Sequence, residues 1–216
     1  MTARFKIPVL AVLALAAMSA FASAAFATPP EFHVEKAPAT LKGEQTNVHT
    51  LTLDGGTVKC KKATFHGTQN VLTTTTMTLT PNYAECVAFG LAATIDVNEC
   101  AFLLHLVANS NPPTALADIE CPTGKEITVT VPAINCTIHI EPQVGLKHVV
   151  FDNQGAGAAR DILATFTLEG IRYVETPGCL GPGINITTAN GTYTGAATIR
   201  AFEDPLMALQ YGLWVE

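Results

Sequence analysis

The chain has six histidines, six cysteines and 18 carboxylates from which a reactive site might be built. His139 and His148, meeting across a hairpin, would with Asp152 or Asp161 offer zinc ligands or a general base. No helix-spaced histidine pair or ligand motif accompanies them. His33, His49, His66 and His105 stand singly in extended segments, so satisfied core or polar-face histidines are the plainer reading. After the N-terminal segment serine is confined to Ser110, in Asn109-Ser110-Asn111, with no G-x-S-x-G elbow to activate it. Asp118 and Glu120 share one strand face and Asp96 stands near Glu99. Surface acids pair this way constantly, so glycosidase chemistry has no support. No catalytic residue, metal set or cofactor is assigned on these patterns. Asn135, Asn185 and Asn190 fit N-x-S/T, although Asn135 adjoins Cys136 and makes a poor glycan acceptor.

The cysteines point elsewhere. No C-x-x-C occurs, and an even set of six in an exported chain reads as three disulfides. Strand length selects the pairing. Gly90 to Val97 reads as one strand, spanning roughly 26 Å at ~3.3 Å per residue. That separates Cys86 from Cys100 far beyond the ~7 Å between α-carbons that a disulfide tolerates. Cys60 leaves along one strand and Cys86 returns along another, so both reach a shared edge. Cys100 and Cys121 close the next unit in the same way, and Cys136 is left with Cys179. The expected pairs are therefore 60–86, 100–121 and 136–179.

Export is read from the first residues. Arg4 and Lys6 precede an apolar, uncharged run from Ile7 to Ala17, followed by small residues. Cleavage fits after Ala24 or, preferably, after Ala27, ahead of Thr28-Pro29-Pro30. The apolar run falls short of the ~18–20 residues of a membrane span. We expect a signal peptide at 1–27, one domain at 28–216, no membrane span in the mature chain, and free release outside the cell. Removing 1–27 takes two of the 12 basic residues and none of the 18 acidic ones, leaving a charge of −8. Scattered lysines on an acidic chain give no footprint for nucleic acid.

The elements that must position these residues show period two. Ile127, Val129 and Val131 alternate with threonines, as do Met77 and Leu79. Ile162, Ala164, Phe166 and Leu168 form another inward set. Asp54-Gly55-Gly56 reads as a hairpin turn. The single candidate for helix is a short turn after Pro205, within Asp204 to Tyr211. The fold class expected is all-β, an antiparallel sandwich or flattened barrel of about ten strands with three disulfides.

FHVEKAPATLKGEQ, GGTVKCKKATFHGT, CPTGKEITVT with Cys136-Thr137-Ile138-His139, and NGTYTGAATI together resemble an uncharacterised group of exported actinobacterial proteins. The resemblance implies a signal peptide, several cysteines and strand-rich structure, and brings no site residues. The function expected is a secreted, non-enzymatic binding, surface-associated or matrix protein with an unknown extracellular ligand. The alternative is an extracellular hydrolase or metal-dependent enzyme.

Overall fold

The computed structural model describes residues 29–108, 110–180 and 185–216. The export signal read at 1–27 lies outside these residues. Alternating apolar and polar positions give fifteen strands and no α-helix among the described residues. They are β1 (Phe32–Val34), β2 (Ala39–Leu53), β3 (Gly56–Gln69), β4 (Thr73–Thr74), β5 (Thr76–Ala88), β6 (Leu91–Asp96) and β7 (Ala101–Leu106). The rest are β8 (Thr114–Glu120), β9 (Ile127–Val131), β10 (Cys136–Ile140), β11 (Gln143–Gln154), β12 (Asp161–Glu175), β13 (Thr188–Phe202), β14 (Gln210–Tyr211) and β15 (Leu213–Val215). Several are short, which is why the count exceeds the ten expected. After Pro205 the chain makes one hydrogen-bonded turn, Met207 N to Asp204 O at 3.1 Å, and enters β14 without forming a helix. Among the described residues no helix is long and apolar enough to cross a membrane.

All strand pairs are antiparallel, and they close. Pairing runs β13–β2–β3–β5–β7–β8–β11–β12 and returns to β13, a ring of eight strands. A second path, β6–β9–β10, also joins β5 to β12. The two long strands therefore fork. Thr76–Leu79 of β5 bonds β7, whereas Cys86–Ala88 bonds β6. On β12, Asp161–Phe166 bonds β11, whereas Val174–Glu175 bonds β10. Pro81, with no N–H to give, falls in the stretch of β5 that has a partner on one side only. Closure removes the free edges that an open sheet would expose.

The inward faces build one core. Phe65 stacks on Phe166 at 5.8 Å between ring centres, with Phe102 and Tyr193 packed around them. Each such side chain, fully buried, contributes about 1.5–3 kcal/mol. Outward positions carry threonine, lysine and glutamate, among them Thr165, Thr167 and Glu169 on β12 and Lys59 and Lys61 on β3. Apolar inside and polar outside is the reverse of the arrangement in a lipid-facing barrel.

One pole is capped by a small sheet in the order β15–β1–β4. Phe32, Leu213 and Val215 are buried beneath it, and Phe32 meets Phe151 edge to face at 5.2 Å. The outer edge of β15 is covered by a side chain. The Asn153 carboxamide donates to Val215 O at 2.7 Å and accepts from Val215 N at 2.8 Å. The opposite pole carries the β2–β3 hairpin at Asp54-Gly55.

Disulfides join Cys60 to Cys86, Cys100 to Cys121 and Cys136 to Cys179. Cys100 and Cys121 flank β7 and β8, as the strand grammar suggests. Cys60 and Cys86 do not sit at strand ends. They face each other inside the β3–β5 ladder, with α-carbons 4.0 Å apart.

Candidate functional site

Three polar groupings interrupt this apolar frame. The first lies inside the barrel. On β2 the alternation His49, Leu51, Leu53 points inward, so His49 enters the core at 2 % exposure. Its Nε2 lies 3.2 Å from the Ala196 carbonyl and its Nδ1 lies 2.6 Å from the Tyr193 hydroxyl, which is 2.7 Å from that of Tyr83. A carbonyl only accepts, so Nε2 carries the proton. Tyr193 then donates to Nδ1, and Tyr83 donates to Tyr193. This direction fits a neutral His49, in agreement with its pKa, pushed down to about 4 by burial against the opposing effect of the Ala196 bond. Burial likewise raises the Tyr83 and Tyr193 hydroxyls. These groups border a cavity of about 40 Å³ whose other walls include Leu51, Phe102, Ile127 and Val129. That is far below the ~300–1,000 Å³ of a small-molecule pocket. The interior is a packed core with a small void.

The second grouping is at the hairpin pole. The Tyr173 hydroxyl accepts from Asp54 N at 3.0 Å and donates to Asn190 Oδ1 at 3.2 Å, while Asn190 Nδ2 donates to Asp54 Oδ1. Two residues along the same inward face of β12 stands Glu175, with no exposure and, among the described residues, no hydrogen-bond partner for either carboxylate oxygen. Burial first, and the Asp54 charge second, push its pKa up.

The third grouping is at the capped pole. Trp214 has two close neighbours: His33 stacks on it at 5.2 Å and 10° between planes, and the Arg160 guanidinium stands 4.8 Å from its ring centre. A cleft of about 300 Å³ opens there, lined by Glu35, Gly157, Arg160, Gly212 and Trp214. Three neighbouring chain ends emerge at the same pole: after β13, before β2 and after β3. The first and third present Leu206, Met207 and Leu209 and then Val71 and Leu72, all exposed, with Leu206 at 85 %. Leu72 O and Gly212 O hold the segment between them, by accepting from Val34 N and Glu35 N.

No family model, curated protein or solved structure matches this chain.

The histidines singled out from the sequence are not brought together. His139 bonds Glu126 through Nδ1 at 2.5 Å. His148 and Asp152 are exposed on β11. The expected hairpin contact fails because β10 and β11 do not pair with each other; both pair with β12, at different places. Asp161 instead bonds Arg200. Among the described residues no three His, Cys, Asp or Glu side chains gather as a metal-ligand set. Asp118 shares its outward face with Glu120 but is engaged by His105 Nε2 and by Gly145 N. Asp96 caps Asn98 N. Of the sequons, Asn190 already commits its carboxamide to Asp54 and Tyr173.

One of the three groupings had a readable signal: period two places His49 on the face of Leu51 and Leu53. Glu175 joins the inward face of Ile171 and Tyr173 only through the change of phase at Gly170. The clustering of loops at the capped pole had none, since it depends on which strands are neighbours.

Proposed function

We propose that this chain is a secreted, non-catalytic binding protein that engages an extracellular macromolecular surface through the capped pole of its barrel. The observation that carries the reading is the pair of exposed apolar loops there, Val71-Leu72 and Leu206-Met207 with Leu209, flanking one segment of chain. Other large apolar side chains are exposed elsewhere, Val144 and Ile186 among them, but these five gather on two loops at one pole, and such a patch marks an interaction surface. Rigid backing supports this use, because the cap is tied down through β1, β15 and the Asn153 clasp. Three disulfides suit an oxidising compartment outside the cell.

The test uses the sole tryptophan as a reporter, since Trp214 stands at this pole. Purified mature protein is mixed with cell-envelope fragments, sedimented, and followed by Trp214 emission. Wild type is expected to co-sediment with a shifted emission, and the doubly charged variant Leu72→Asp/Leu206→Asp to remain in solution. Both positions are exposed, so the variant should keep its unfolding midpoint. Equal partition of the two proteins would overturn the proposal.

A further inference from the structure

Glu175 is the most anomalous side chain in the described structure. Buried carboxylates are paired, hydrogen-bonded or protonated, because an isolated charge in a low-dielectric interior is several kcal/mol unfavourable. Glu175 has no exposure, and neither oxygen meets a donor among the described residues. An unsatisfied buried group of this kind is explained by a protonated carboxyl or by an ion. The surroundings favour the ion. Glu175 shares the inward face of β12 with Tyr173, whose hydroxyl is tied to Asp54 and Asn190. Asp54 is exposed at the hairpin tip and Glu175 is buried, and the two stand near enough for the Asp54 charge to act on the Glu175 carboxyl. The backbone is anchored there as well, where Glu175 O accepts from Asn185 N at 2.7 Å. The groups gathered at this pole offer oxygen: the mutually bonded Asp54 carboxylate, Asn190 carboxamide oxygen and Tyr173 phenol, and the carboxylate of Glu175 two residues along from Tyr173. None supplies nitrogen or sulfur as a ligand suited to zinc or copper.

We propose that Glu175 and Asp54, with oxygens of Asn190 and Tyr173, form a site for a hard divalent cation of the calcium type at the hairpin pole. Calcium takes six to eight oxygens in an adaptable shell, so water completes the set on the exposed side. Binding converts Glu175 from carboxylic acid to carboxylate and releases one proton to solvent. It also reinforces the hydrogen bonds by which Asp54 already holds the β2–β3 hairpin to Tyr173 of β12 and Asn190 of β13. The site is distinct from the binding face, which lies at the other end of the barrel.

The experiment uses the full mature chain with calcium, magnesium and terbium as probes. Terbium bound beside Tyr173 should luminesce on tyrosine excitation and be displaced by calcium. Calcium at roughly a hundredfold excess over its Kd should raise the unfolding midpoint by about 5–10 °C relative to chelator. Glu175→Gln, the neutral isostere, should fold at least as stably as wild type in chelator and lose both responses. Asp54→Asn should weaken calcium by about tenfold or more. Absence of displaceable luminescence and of a calcium-dependent midpoint in wild type would overturn the site. So would a calcium response kept intact in Glu175→Gln. A wild type stabilised by acid and indifferent to calcium would assign Glu175 as a protonated core residue instead.

Discussion

The imidazole of His49 lies against the α-carbon of Gly195 on the neighbouring strand, in the space where any larger residue would put its first side-chain carbon. A methyl group built on Gly195 would stand 2.6 Å from ring carbons Cε1 and Cγ. The glycine is therefore required by contact, and its backbone needs no unusual conformation. Gly195→Ala should push the ring off Tyr193 and lower stability by about 1–3 kcal/mol, as overpacking does. Urea denaturation checks this, and an unchanged midpoint would mean the ring can move freely.

His49 also sets a pH dependence. Its pKa is near 4 when folded and 6.5 when free, so between these values the unfolded chain binds the extra proton. Stability is full above about pH 6.5 and falls as pH drops toward 4, by about 3 kcal/mol in all. The measurement is best made in a Glu175→Gln background, so that this carboxyl adds no slope of its own. His49→Phe should flatten the curve over that interval. A slope surviving in His49→Phe would assign the dependence to another group.

The direction of the hydrogen-bond chain ranks two conservative variants. Tyr193→Phe leaves His49 Nδ1 without a donor and Tyr83 without an acceptor, at about 1–3 kcal/mol. Tyr83→Phe removes only the first donor of the chain and should be milder, about 0.5–1.5 kcal/mol. Paired denaturation curves decide the order; the reverse order would mean that the protons run the other way.

The disulfides close separations of 43, 26 and 21 residues. Loop-closure entropy then predicts about 4 kcal/mol for Cys136–Cys179 and about 3–3.5 for each of the other two. Replacing each pair by alanines and comparing thermal midpoints tests that ranking. The largest loss should come from the 136–179 pair, which also secures the turn after β12 against the start of β10.

Much of the architecture was legible from local pattern. Period two identified the inward residues of β9 and β12, the Asp54-Gly55 turn appeared where glycine permitted it, and a strand's length separated Cys86 from Cys100. Each of these is a property of one segment and its neighbours in the chain. The phase of the alternation was less secure. On β12 the buried positions change from Leu168 to Ile171 across Gly170, which adopts a positive φ at an irregularity in the β12–β13 register. Without that shift Glu175 would face outward with Glu169.

What the sequence determined by itself was therefore an all-β chain, three disulfides and a set of inward side chains. Tertiary structure decided which strands meet. Forks in β5 and β12 kept His139 away from His148, while barrel closure placed His49 beside Gly195 and Tyr193, and Asp54 beside Tyr173 and Asn190. These partners lie more than a hundred positions apart along the chain. Side-chain alternation specifies a face, whereas the neighbour on that face is specified only when the ring of strands closes.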